Sequence, residues 1–193
     1  DRLFIGGLKN LLCGATTVAH HGPKYREMYR KDFPVRVLKH YGWSHSLHFD
    51  TEEEIIVSYN ATPKNHPWFI HLAEGTDDVA KSEYRRLKGL GCVGENTVIV
   101  HGVGLTPEDV EDAVGIVRGL IWCPTTNLYL HDDTINYLDD WRLVSNNITL
   151  GSDSRLTANG DLGNEIDYAF LNMQESDPML TFNSFTLESA NIL

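Results

Sequence analysis

A chain of 193 residues can bury one substantial core, yet it is shorter than the roughly 250 residues of a complete (β/α)8 barrel. Its 27 acidic against 16 basic side chains, a net charge of −11, argue against a surface that grips a phosphate backbone, and 41% apolar residues argue against a disordered chain. Cys13, Cys92 and Cys123 are odd in number, widely spaced and without a C-x-x-C pair, so neither a disulfide framework nor a zinc knuckle is expected, and no apolar run nears the roughly 18–20 residues that span a bilayer. A cytoplasmic setting with no membrane or nucleic-acid partner is the expectation.

Leu3, Phe4, Leu8, Leu11 and Leu12 fall at helical spacing before Gly14, which predicts a helix over 2–13. The chain thus opens inside an apolar run with no initiator Met, and further sequence upstream is expected. Ala15–Ala19 is a short β-branched run suited to a buried parallel strand, with His20, His21 and Gly22 at its end. Lys24–Lys31 has a helical pattern, Val35–Leu38 reads as a strand, and His40–Phe49 reads as an aromatic, His-rich loop. Asp50 or Thr51, with Glu53 and Glu54 behind it, caps a helix over 52–61. Trp68-Phe69-Ile70 is a strand ending in His71, and 77–90 is an amphipathic helix with an exposed basic cluster of Arg85, Arg86 and Lys88. Thr97–Val100 is a strand ending in His101, and Thr106-Pro107 opens the next helix. Leu120–Trp122 is a strand ending in Cys123-Pro124, and Ile148–Leu150 one ending in Gly151-Ser152-Asp153.

Strands that alternate with helices predict a parallel sheet covered by helices. An open doubly wound sheet satisfies the same pattern. The barrel is favoured because chemically capable residues end nearly every strand, where barrel enzymes build their sites. Neither G-x-G-x-x-G nor a phosphate-binding G-x-x-x-x-G-K-[ST] loop is present.

In His71-Leu72-Ala73-Glu74 a His and a Glu three apart leave one strand end, and both can face the mouth of a barrel as ligand and proton carrier. Alone, so short a pair more often marks a core histidine beside a solvated acid. His101 holds the same place one unit later, beside Gly102 and Gly104, which would let backbone approach a substrate. Asp153 follows three apolar residues of the last strand, where an acid is either a helix cap or the partner of a cation. Together, His, Glu, His and Asp at separate strand ends predict one metal site, with zinc or iron(II) suited to imidazole and carboxylate donors. His20-His21 and His45-Ser46-Leu47-His48 are expected in substrate-loop or solvent roles, and Cys123 as a buried, inert thiol. Trp43, His45, Trp122, Arg155 and Asn159 are expected near the mouth, with Arg155 facing either an anionic substrate group or Asp161.

On these residues the chain resembles the amidohydrolase superfamily, in the branch of cytosine, guanine and S-adenosylhomocysteine deaminases and triazine hydrolases. The resemblance is carried by Gly14-Ala15-Thr16-Thr17-Val18, Phe69-Ile70-His71-Leu72-Ala73-Glu74-Gly75, Val98-Ile99-Val100-His101-Gly102, Trp122-Cys123-Pro124-Thr125-Thr126-Asn127, and Leu150-Gly151-Ser152-Asp153-Ser154 running to Gly160-Asp161-Leu162.

The resemblance implies an incomplete α/β (β/α)8 barrel, one partial domain over 1–193, without the first strand or the small β-sandwich. His71 would be the fifth-strand metal ligand. Asp153 would be the eighth-strand ligand and would take a proton from the attacking water. Glu74 would pass a proton to the leaving nitrogen. His101 matches the sixth-strand histidine, which polarises substrate or orients water in some members and binds metal in others; the first role is expected here. Asn127 marks the seventh strand, and Thr186–Leu193 matches the helix after the eighth. The family's first-strand His-x-His is absent, and the span from Val35 to His71 reads as one strand short. The implied function is hydrolysis of a C–N bond in a nitrogen heterocycle or amide, deamination first, with one divalent metal and a small-molecule substrate. The alternative is a non-catalytic fragment that self-associates through exposed strand edges.

Overall fold

The structure, a computed structural model, describes residues 2–135, 147–158, 160–172 and 178–193. In chain order it runs α1 (Arg2–Leu12), β1 (Thr17–Val18), a 3-10 turn (Arg26–Tyr29), β2 (Arg36–Val37), β3 (Gly42–Ser44), α2 (Glu52–Ala61), β4 (Trp68–Leu72) and α3 (Asp78–Gly89). It continues β5 (Thr97–His101), α4 (Pro107–Ala113), β6 (Gly119–Trp122), α5 (Pro124–His131), β7 (Ile148–Leu150), α6 (Leu162–Asn172), α7 (Pro178–Ser184) and α8 (Leu187–Ile192).

β1 and β2 pair in parallel as a two-stranded sheet, and β3-β4-β5-β6-β7 form a five-stranded parallel sheet in sequence order. Parallel strands that neighbour one another in chain order, with helices between, wind as a barrel does. The fold is an incomplete (β/α)8 barrel. Its register aligns Leu72 with His101 and Trp122 with Leu150, so the C-terminal ends of four strands finish at one rim.

Local chemistry sets the element ends. Gly14 (φ +91) ends α1, with the Ala15 N–H donating to the Asn10 carbonyl at 3.0 Å in the six-residue closure that a left-handed stop allows. Thr51 caps α2 in a reciprocal box with Glu54, and Thr106 caps α4 with Asp109 behind Pro107. Asp77 caps α3 through the Ala80 N–H at 2.8 Å.

Alternation along the strands separates two apolar layers. Trp68, Ile70, Leu72, Ile99, Leu120, Trp122 and Ile148 pack with helix residues such as Ile55, Tyr84 and Leu87. Phe69, Val98 and Ile121 face the other way and pack with Trp43, Ile192 and Leu193 inside the barrel.

Three expectations change. Lys24–Lys31 holds only the 3-10 turn of four residues, with Tyr25 and Arg30 extended on either side. The loop expected over His40–Phe49 contains β3, so the span before His71 is not short of a strand. Trp122 turns its indole to the helix layer, 2% exposed and donating to Thr134 Oγ1 at 2.7 Å, rather than to the mouth. Asn159 lies outside the described residues, and no described helix is long and apolar enough to cross a membrane.

Leu87 is fully buried between α3 and the sheet. Leu87→Ala is expected to lower the unfolding free energy in urea by about 2–5 kcal/mol. Val79→Ala, on the exposed side of the same helix, should change it by less than about 0.5 kcal/mol.

Candidate metal centre

Four strand ends supply the polar groups. His71 is the fourth residue of β4 and shares the inward face of Phe69, two positions back. Strict alternation along β5 would send His101 to the helix side with Ile99. The strand ends there instead, and His101 takes φ +76, followed by Gly102 at φ +70. Its ring stacks on that of His71 with centroids 5.4 Å apart. A left-handed conformation costs a residue with a Cβ roughly 1–2 kcal/mol, so packing and hydrogen bonds must impose it.

The bond that fixes His101 comes from α5. His101 Nδ1 lies 2.8 Å from Asn127 Oδ1, and both residues are fully buried. An amide oxygen accepts, so Nδ1 carries the proton and Nε2 keeps its lone pair. Asn127 is held in turn through Thr134 Oγ1, which also receives the Trp122 indole N–H. Nε2 is buried and has no hydrogen-bond partner among the described residues. It faces Glu74 Oε2 at 3.6 Å.

Glu74, His101 and Asp153 each offer one ligand atom, and these lie within 4.8 Å of one another; they form such a group among the described residues. An orphaned imidazole nitrogen beside two carboxylates is a donor set that fits a divalent cation. His71 stands beside this group rather than in it. Its Nδ1 lies 2.8 Å from the His45 carbonyl, which leaves Nε2 as the lone-pair nitrogen. Burial, with His101 adding to it, depresses the pKa of His71 to about 4, so the ring is neutral.

Around His71 stand two rings that sequence reasoning left in loops. His21 and His45 approach it with centroids at 5.1 and 4.9 Å, and His21 also packs edge-on to Trp43. Their signal in the sequence was position alone, since each follows a strand of two or three residues. His48 stays exposed, with its ring against Phe49. A cavity of about 1140 Å³ opens beneath, lined by His21, His71 and Asp153 at the mouth and by Phe69, Val100 and Ile121 within.

A Cβ on Gly104 would stand 2.7 Å from the Gly75 carbonyl and 3.1 Å from the Ala80 methyl, so this glycine lets the β4 and β5 exit loops touch, whereas one on Gly102 would crowd Leu105 and Leu120 at 3.1 Å. Cys123 is 2% exposed and burial pushes its thiol well up, as expected of an inert core cysteine. Arg155 is exposed, and Asp161 receives hydrogen bonds from Cys13 and from Gly163, with Arg155 adding a weaker Coulombic pull.

No family model and no curated protein matches the chain. Solved structures do. An adenosine deaminase from Xanthomonas campestris with bound zinc superposes with a TM-score of 0.68 at 22% identity, over 86% of this chain and 41% of that one. The guanine deaminase of E. coli gives 0.60 at 21% identity, over 86% and 41%. A variant of the atrazine chlorohydrolase from Arthrobacter aurescens, complexed with zinc and atraton, gives 0.68 at 14%, over 100% and 43%. The chain shares the fold of the matching part of these structures. It spans 41–43% of their length.

The depressed pKa of His71 makes the stability of the chain pH-sensitive. Between the ordinary value of 6.5 and about 4, the unfolded chain binds a proton that the folded chain refuses. Stability is therefore full above that window and falls as pH drops through it, by at most about 1.4 kcal/mol per pH unit. Urea denaturation across the window should show this slope, and His71→Gln should remove it.

Proposed function

We propose that the chain carries part of the active site of a metal-dependent hydrolase that cleaves a C–N bond in a nitrogen heterocycle or amide, with deamination as the reaction. The observation that carries this reading is the fully buried His101, whose Nε2 has no hydrogen-bond partner among the described residues and whose ligand atom lies within 4.8 Å of those of Glu74 and Asp153.

In this reading His101 and Asp153 hold the metal, zinc before iron(II), the Glu74 carboxylate facing them strengthens its hold, and His71 adds a neutral imidazole at the edge of the group. A divalent metal held there would supply the Lewis acidity that activates a water. Asp153 would accept a proton. Glu74, 3.6 Å from His101 Nε2, would carry a proton to the leaving nitrogen. Asn127 keeps His101 in the tautomer that leaves Nε2 free, as outer partners of ligating histidines do. His21, Trp43 and His45 give the mouth flat surfaces for a planar ring, and the largely apolar cavity suits a small organic substrate. The deaminase neighbours support the reaction class, and the donor set supports the metal.

Zinc titration of the purified chain tests the reading directly. About one zinc should bind per chain, and the His101→Ala, Asp153→Ala double variant should bind none. Retention of zinc by that variant overturns the assignment. In a form that turns over amino-substituted purines, pyrimidines or triazines, Glu74→Gln should lower ammonia release by about 100-fold or more, the scale of a lost proton carrier.

A further inference from the structure

Ala73 lies between the two strand-end groups of β4, two residues after His71 and one before Glu74. It is fully buried and left-handed, at φ +53. A residue with a Cβ stays in that conformation only where its surroundings over-determine it. Two hydrogen bonds do so. The Ala73 carbonyl accepts the Gly104 N–H at 2.8 Å, which ties the exit of β4 to that of β5. The Ala73 N–H donates at 2.7 Å to Oε2 of Glu83, which reaches back from the second turn of α3.

Glu83 is an odd residue for its place. It is 8% exposed, on the face of α3 that carries Ala80, Tyr84 and Leu87 into the core, where an apolar side chain would bury at no electrostatic cost. The nearby Arg86 bonds to Glu52 at 3.1 Å instead. Burial raises the Glu83 pKa, with the Ala73 N–H pulling the other way. A carboxylate accepting from a main-chain N–H makes a charge-assisted bond, stronger than a neutral acceptor would.

The geometry points to Glu83 as a positioning residue: by clamping the left-handed turn at Ala73, it carries Glu74 to 3.6 Å from the free nitrogen of His101. The chain bends out of β4 at Ala73, so a relaxed backbone there would swing Glu74 off the rim while leaving His71 on its strand. This inference rests on the proposed metal site, and the clamp itself can be read separately from it.

The test uses the 193-residue chain and zinc ions alone, with affinity from competition against a chromophoric chelator and the Ala73 amide followed by NMR hydrogen exchange. Glu83→Ala should speed exchange at Ala73 about 10-fold or more and weaken zinc about 10-fold, within the range of lost outer-shell partners. Glu83→Gln keeps an acceptor oxygen and should stay within about 3-fold of the parent on both readouts. In an Ala73→Gly background the left-handed turn is free of strain, so Glu83→Ala should lose much less there, a coupling that a merely stabilising glutamate would not show. Should Glu83→Ala unfold the chain, the Gln variant and the Ala73→Gly pair still decide. Parental exchange and zinc affinity in Glu83→Ala, or equal losses with and without Ala73→Gly, overturn the positioning role. Glu74→Ala in parallel separates the two claims: unchanged zinc affinity there sinks the site reading, while fast Ala73 exchange in Glu83→Ala still upholds the clamp.

Discussion

A buried imidazole that must use its two nitrogens differently governs the arrangement at the rim. His101 has no exposed surface, so each ring nitrogen needs a partner or a reason to lack one. Asn127 takes the Nδ1 side, and the bond is anchored through Thr134 to the Trp122 indole. That leaves Nε2 as the open position, aimed where Glu74 and Asp153 converge. Reversing the Asn127 amide would offer an N–H to Nδ1, move the proton to Nε2 and close the open position. The donor set therefore depends on an amide orientation fixed a full strand away.

The same need recurs in the backbone. Glu83 and Glu165 are both buried glutamates on helices, and each holds a main-chain N–H at a strand exit. Glu83 binds Ala73, in the turn that presents Glu74. Glu165, on α6, binds the N–H of Thr125 at 2.9 Å and its hydroxyl at 2.5 Å, fixing the first turn of α5 that carries Asn127. Desolvation raises the pKa of both carboxyls, the signature of acids kept inside for a hydrogen bond and not for solubility. Two rim segments are thus each pinned by one carboxylate from behind, so the mouth is shaped by the helix layer as much as by the strands.

Which parts of this were legible in the sequence follows from length and from locality. β4 and β5 span five residues each and declare themselves by continuous apolar runs with a polar end. The caps at Thr51 and Thr106 are visible because their partners lie three residues away. β3 is three residues, Gly42-Trp43-Ser44, too short for any period, and it forms because β4 offers a parallel edge. Lys24–Lys31 shows the opposite failure: a helical spacing that packing reduces to one 3-10 turn around the buried Met28. At the site, alternation correctly places His71 inward, yet it misplaces His101, whose φ of +76 no spacing rule encodes. Glu83, Asn127 and Glu165 act over 10, 26 and 40 residues of sequence, so no local pattern announces them.

The interior layer also explains why the chemistry can sit only at one end. Phe69, Val98 and Ile121 face the barrel interior, and Ile192 of α8 packs with them, close enough to Gly119 that a Cβ there would meet it at 2.5 Å. Arg118 donates to the Ile192 carbonyl at 2.6 Å and ties that helix to the start of β6. The end of the barrel where the strands begin is therefore lined by apolar side chains and α8, where an imidazole or carboxylate would find few polar partners. At the other end the strands stop, backbone turns left-handed at Ala73 and His101, and side chains can converge without burying unpaired charge. A parallel sheet makes the two ends chemically unequal, and in this chain the apolar lining at one end leaves the rim as the place where polar groups can meet.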